Sequence, residues 1–159
     1  MFATMATSSK AEDLDSMYTK EMLPIGTEVP DVMLDSIHNV SLKSMRGRYV
    51  VLHFWASWCP DCRKDIPAMN ELANAYSSDS IVFVHISYDT NKEAWQKYVA
   101  NNKMEGIDFS ELKKMRECTT YKLFNIKWIP AMYLVDPEGK VMLRTVKAET
   151  LAERLKQLK

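Results

Sequence analysis

Apolar residues are spaced along this chain in two rhythms, and the alternation between them predicts the fold class. Tyr49-Val50-Val51-Leu52-His53-Phe54-Trp55 and Ile81-Val82-Phe83-Val84-His85-Ile86 are nearly continuous runs, as in strands buried on both faces of a sheet. Ala131–Val135 is a third such run. Lys140–Arg144 follows it across Asp136-Pro137-Glu138-Gly139, whose Pro and Gly are strong turn formers. Between the first two runs the period changes. Ile66, Met69, Leu72, Ala73 and Tyr76 mark one face of a helix over Pro60–Tyr76, with a kink expected at the internal Pro67. Lys92–Asn101 reads as a helix with Ala94, Trp95, Tyr98 and Val99 inward. Residues 104–125 form a second crossover region, ending in the helix-like stretch Glu111–Phe124. At the end, Leu151, Leu155 and Leu158 share one face of a helix over Thr150–Leu158, and Thr150 and Glu153 have capping-box spacing. Near the start, Val32–Leu34 and Val40–Leu42 flank a polar link and predict a small hairpin. Helices between strands predict an α/β domain, with a central mixed sheet covered on both faces.

Composition narrows the function classes. At 159 residues and 47% hydrophobic content, the chain can bury a core without metals or staples. Lys+Arg and Asp+Glu both number 21, so no polyanion-binding surplus exists and nucleic acid is not an expected partner. No apolar run approaches the roughly 20 residues of a membrane span. Met1–Ser16 is polar and lacks a signal-peptide core. The expected organisation is a tail over residues 1–22, flexible or loosely docked, and one domain over 23–159, with any membrane anchor lying upstream. The 11 Met residues are scattered, which favours adaptable core filler over a soft ligand set for copper.

The chemistry lies where the first strand meets the first long helix, at Trp58-Cys59-Pro60-Asp61-Cys62. A strand that delivers Cys-x-x-Cys to the first turn of a helix places one sulfur among unpaired backbone N–H groups, which favour thiolate. The second sulfur falls about one turn on, within reach of a disulfide. Pro60 suits the first helical position, where its missing N–H is not needed. A zinc site would need two more ligands, and Cys118, His38, His53 and His85 are not paired at short spacing. A structural disulfide closing so small a loop would stabilise little. The pair reads as a redox dithiol. Cys118 is left over, either as a small buried hydrophobe or as an exposed thiol serving the pair.

Phe54–Arg63, Ile66-Pro67, Trp128-Ile129-Pro130 and Asp136–Val141 together resemble the thioredoxin superfamily, and within it the TlpA/ResA branch of bacterial extracytoplasmic thiol–disulfide oxidoreductases. The resemblance covers about residues 23–159. It implies a thioredoxin-like fold, with an extra insert between Ser87 and Lys127 separating the active-site half from the Ile-Pro half. It also implies an envelope location, disulfide-containing client proteins, an upstream dithiol reductant and no cofactor or metal.

The resemblance assigns roles to individual residues. Cys59 is the expected attacking thiol and Cys62 the more buried resolving thiol. Pro130 matches the cis-proline that faces the cysteines, leaving the Ile129 backbone open to an extended client segment. Trp58, Pro60, Asp61, Ile129 and Pro130 make up the expected substrate-binding set. Asp65, three residues after Cys62, matches a position where ResA-like proteins carry a glutamate, and is either a proton shuttle or a solvated surface charge. His53 stands six residues before Cys59, where thioredoxin has a buried aspartate. It is either a base or a hydrogen-bonded core histidine, and desolvation favours the second reading. Asp61 places a negative charge beside the thiolate, which predicts a reductant or mild exchanger in place of a strong disulfide donor. Two other classes stay open. One is a dithiol module that binds or delivers copper. The other is a thiol peroxidase, against which Ala56 stands where that chemistry wants Thr or Ser.

Overall fold

The structure is a computed structural model that describes residues 15–158. Its strands are β1 (Met33–Asp35), β2 (Val40–Ser41), β3 (Tyr49–Trp55), β4 (Ile81–Ser87), β5 (Ile107–Ser110), β6 (Ala131–Val135) and β7 (Val141–Thr145). Beyond a short helical segment over residues 15–19, its α-helices are α1 (Pro60–Tyr76), α2 (Lys92–Asn101), α3 (Thr119–Leu123) and α4 (Ala148–Gln157). β1 and β2 form the expected small antiparallel pair, and the other five strands form one sheet in the order β5-β4-β3-β6-β7. β3 runs parallel to β4 and antiparallel to β6, so the sheet is mixed.

This topology explains the continuous apolar runs. β3 is the central strand, and from Val50 to Trp55 every residue is buried. On one face Val51, Phe83, Met132 and Leu134 pack against Met69 and Ala73 of α1 and Leu151 and Leu155 of α4. Val50, Leu52, Phe54, Ile86 and Tyr133 belong to a second cluster with Phe124 and Ile126. Complete burial of one such aliphatic side chain stabilises by about 1.5–3 kcal/mol. The sheet with both faces covered therefore dominates the stability.

Three local expectations change. α4 begins at Ala148, two residues before the Thr150 start, and Lys147 supplies no side-chain cap. Burial of Ala148 and Leu151 sets that start in place of the Thr150/Glu153 capping pattern. The stretch Glu111–Phe124 is not one helix. Leu112 has φ 57°, a 3₁₀ turn covers Met115–Glu117, and only the five residues of α3 are α-helical. The Glu111 carboxylate reaches across this loop to accept from the Thr119 and Thr120 N–H groups at 2.9 and 3.0 Å, so it caps α3 from a distance. Upstream of it β5 adds an edge strand that its four-residue alternation had not revealed. α1, in contrast, runs on through Pro67, which faces solvent, where water can serve the carbonyl that the ring deprives of a partner.

The expected tail divides in two. Residues 1–14 lie outside the described residues, and 15–22 are docked. Asp15 accepts from Thr145 Oγ1 at 2.7 Å and from the Val146 N–H at 2.9 Å, while Arg144 donates to the Met22 carbonyl at 2.7 Å. Thr19 and Met22 are buried, and the Tyr18 ring lies 4.4 Å from that of Trp128. No described helix is long and apolar enough to cross a membrane.

Candidate active site

β3 ends at Trp55, the chain turns through Ala56–Trp58, and α1 starts at Pro60. Cys59 is the N-cap of α1, with φ −92° and ψ 114°. Its Sγ accepts the Cys62 N–H at 3.3 Å, so the sulfur satisfies one of the donors a helix start leaves free. Cys62 sits one turn deeper. It is wholly buried, whereas Cys59 keeps 7% of its surface open. Burial is the main force pushing the Cys62 thiol well above the ordinary range, and the hydrogen bond with Cys59 adds to it. One thiol is therefore cradled at the helix mouth with a small part of its surface open, while the other is held back as a neutral group.

The loop before β6 supplies the facing wall. The Ile129–Pro130 peptide bond is cis, and the Ile129 carbonyl oxygen lies 3.9 Å from Cys59 Sγ. Pro60 and Asp61 are exposed on the first turn. Trp58 is 54% exposed, yet its ring is fixed by an Nε1–H bond to the Tyr88 carbonyl at 3.2 Å. Asp65 is half-buried. Burial chiefly, with help from Glu149 and Asp61, pushes its carboxyl above the usual range. Its charge in turn helps raise Cys62, so the two groups sense one another.

Sequence reasoning missed Asp89. Its carboxylate, 3% exposed, accepts from the Ser57 N–H at 3.0 Å, from Ser57 Oγ at 2.5 Å and from Ser87 Oγ at 2.5 Å. The Tyr88 N–H donates to the Trp55 carbonyl at 2.9 Å. The segment after β4 thus clamps the turn that presents Cys59. The available signal was a lone acid directly after a buried strand, which is costly unless its charge is used.

His53 and His85 are opposite one another in the β3–β4 register. Their Nδ1 atoms are 2.9 Å apart, and His85 Nε2–H donates to the Glu105 carbonyl at 2.7 Å. A carbonyl only accepts, so neutral His85 presents Nδ1 as acceptor and His53 Nδ1–H donates to it. Gly106, at φ 122°, allows this approach, because a Cβ there would lie 2.5 Å from the Phe83 carbonyl oxygen. Desolvation holds both rings below the usual histidine range. The hydrogen-bonded core histidine is therefore what the structure shows. Cys118 is also buried. Its Sγ–H donates to the Lys113 carbonyl at 3.4 Å, and burial, reinforced by Glu111, pushes its thiol up to about 11.

A mixed sheet that ends in a helix-capping Cys-x-x-Cys, faced by an Ile-Pro turn, defines a thioredoxin-fold dithiol protein. The chain belongs to the AhpC/TSA family, whose sequence pattern matches residues 25–144. It is similar to the thiol-disulfide oxidoreductase ResA of Bacillus thuringiensis subsp. konkukian, with 29% identity over 88% of this chain and 80% of that one. Among solved structures it resembles the thioredoxin domain of a thiol-disulfide oxidoreductase from Bacteroides vulgatus, with TM-score 0.74, 26% identity, and 86% and 98% of the two chains covered. A protein from Chlorobium tepidum assigned as the thiol:disulfide interchange protein DsbE gives TM-score 0.74 and 28% identity, over 85% of this chain and 97% of that one.

Proposed function

We propose that this chain is a thiol–disulfide oxidoreductase that reduces disulfides of client proteins through Cys59 and Cys62, in a compartment outside the cytoplasm. The observation that carries this reading is the paired environment of the sulfurs. Cys59 Sγ is held by the Cys62 N–H at 3.3 Å at the mouth of α1, with Cys62 sealed behind it. The names of the relatives agree with that chemistry, and disulfide-bearing clients accumulate outside the reducing cytosol.

The exchange runs in two displacements. Cys59 thiolate attacks one sulfur of the client disulfide, forming the Cys59–client bond and expelling the other client sulfur as a thiolate that takes a proton. Cys62 then loses its proton and attacks Cys59 Sγ. The Cys59–Cys62 disulfide forms, and the second client thiol leaves with a proton. The client gains two electrons and two protons, and an upstream dithiol restores the pair. Asp65, half-buried and acting through its charge on Cys62, is our candidate for the group that takes the Cys62 proton. Ile129 and Pro130 offer backbone to an extended client segment, Trp58 and Pro60 line its path, and the exposed Asp61 carboxylate on the first turn biases the couple toward reduction.

Trapping tests this directly. Cys62→Ala is expected to accumulate mixed disulfides with client proteins on Cys59, resolved by dithiothreitol and identified by mass spectrometry. Cys59→Ala should trap none, and the reverse pattern would refute the order of attack.

A further inference from the structure

The cysteines do not stand on a neutral surface, although the chain as a whole is neutral. Between β5 and β6, residues 113–127 carry Lys113, Lys114, Arg116, Lys122 and Lys127 against a single acid, Glu117. The neighbouring Glu111 is already engaged, holding the Thr119 and Thr120 N–H groups. Lys114 and Arg116 are exposed, and neither enters a salt bridge among the described residues.

Both cations line a cleft of about 510 Å³ whose other walls include Trp58, Tyr88, Met115 and Glu117. Trp58 is the residue immediately before Cys59, and its indole is held in place by the Tyr88 carbonyl with 54% of its surface open. The cleft therefore begins one residue from the attacking sulfur. It offers an apolar wall and two unpaired cations against one carboxylate. Cα atoms adjacent in the chain are about 3.8 Å apart, and an extended segment advances about 3.3 Å per residue. A client segment that runs from Cys59 toward Trp58 thus brings side chains about two to four residues from its cysteine to this cleft.

We infer that the cleft beside Trp58 selects client segments in which an acidic side chain lies two to four residues from the reacting cysteine, its carboxylate meeting Lys114 and Arg116 and its neighbours lying on Trp58 and Met115. This rests on the thiol–disulfide reading above and names the class of client for that site. Charge complementarity of this kind acts chiefly on the encounter rate and falls with ionic strength.

Three disulfide peptides test it, identical except for Glu, Gln or Lys pairs at those positions. The second-order rate of their reduction by the pre-reduced full chain is measured, and each rate is divided by that peptide's own rate with dithiothreitol, which removes differences in intrinsic reactivity. The Glu peptide is expected to exceed the Lys peptide by about tenfold at low ionic strength, with Gln between them and the gap closing in high salt. The double variant K114E/R116E should invert that order. Equal normalised rates, or an order that K114E/R116E leaves intact, would overturn the inference while the thiol–disulfide reading stands. Failure to reduce any of the three would overturn both. Sedimentation that shows the cleft occupied by a second copy, as a dimer that K114E/R116E dissociates, would also overturn it.

Discussion

Cys59 and Cys118 occupy the same formal position, the N-cap of a helix in extended backbone, and differ in nearly everything that matters for reactivity. At α1 the Cys59 sulfur itself accepts from the helix start, through the Cys62 N–H. At α3 that role belongs to the Glu111 carboxylate, which holds both Thr119 and Thr120 N–H groups, so the Cys118 thiol is left to donate to the Lys113 carbonyl. α1 is 17 residues long and α3 only five. One sulfur caps an otherwise free helix terminus and keeps a small part of its surface open, and the other is sealed beside a carboxylate that repels its thiolate. The two helix starts thus differ in what holds their N–H groups, a cysteine sulfur at one and a carboxylate at the other.

The largest effect comes from removing the sulfur at α1. Cys59→Ser should lower disulfide-reductase turnover by at least about a thousandfold, since a nucleophile and its partner act as a unit. Cys118→Ala should leave turnover within about twofold in the same insulin-reduction assay, because the sulfur touches no part of the exchange.

Next is the clamp on the turn before Cys59. Asp89→Ala strips the acceptor from Ser57 and Ser87 and leaves the part-buried Ser57 N–H unpaired, which costs about 2 kcal/mol. Urea unfolding should show that loss, and reduction of a disulfide peptide should slow about tenfold as Cys59 loses its fixed presentation. Unchanged kinetics in a destabilised protein would reduce Asp89 to a purely structural role.

The pH dependence of stability is smaller and has two opposed parts. His53 and His85 have folded-state values below the unfolded one, so the unfolded chain binds more protons as pH falls below about 6.5. Their effect is a loss of stability on acidification, at most about 1.4 kcal/mol per pH unit for each ring. Asp108 runs the other way. Burial pushes its carboxyl up to about 7, so its contribution is complete below the unfolded value near 4 and is lost as pH rises through 7. Asp108→Asn should remove the second part and expose the histidine limb in urea titrations between pH 5 and 7. A flat profile there would contradict the buried neutral pair.

The smallest effect tests the comparison at α3. Glu111→Gln should lower the Cys118 thiol from about 11 toward its ordinary value and cost about 1 kcal/mol through the weakened cap. Thiolate absorbance, read in a background with Cys59 and Cys62 replaced by Ser, follows the first, and urea unfolding follows the second.

Much of this was legible in the sequence because it is local. β3, α1, α2 and β6 have the bounds that the apolar patterns predicted, since each pattern is the direct image of a strand or helix face buried by its neighbours. The dithiol was legible for the same reason, because five consecutive residues contain the cap, the proline and both sulfurs. Contacts made across the sheet were not. Ser57 and Asp89 are 32 residues apart, as are His53 and His85, and only the parallel pairing of β3 with β4 brings them together. α3 was misread because a remote Glu111 and a left-handed Leu112 do what a local cap and continuous helix would otherwise do. Docking of residues 15–22 likewise depends on Thr145 and Arg144, more than a hundred positions away.

The central claim is that two of three buried cysteines form one redox couple and the third stands apart. Disulfide mapping by mass spectrometry, after the reduced chain is mixed with an excess of a disulfide peptide, tests it most directly. The expected outcome is a single Cys59–Cys62 bond, loss of two hydrogens, two released peptide thiols and an unmodified Cys118. A stable disulfide that includes Cys118, or peptide thiols released without a Cys59–Cys62 bond, would contradict it.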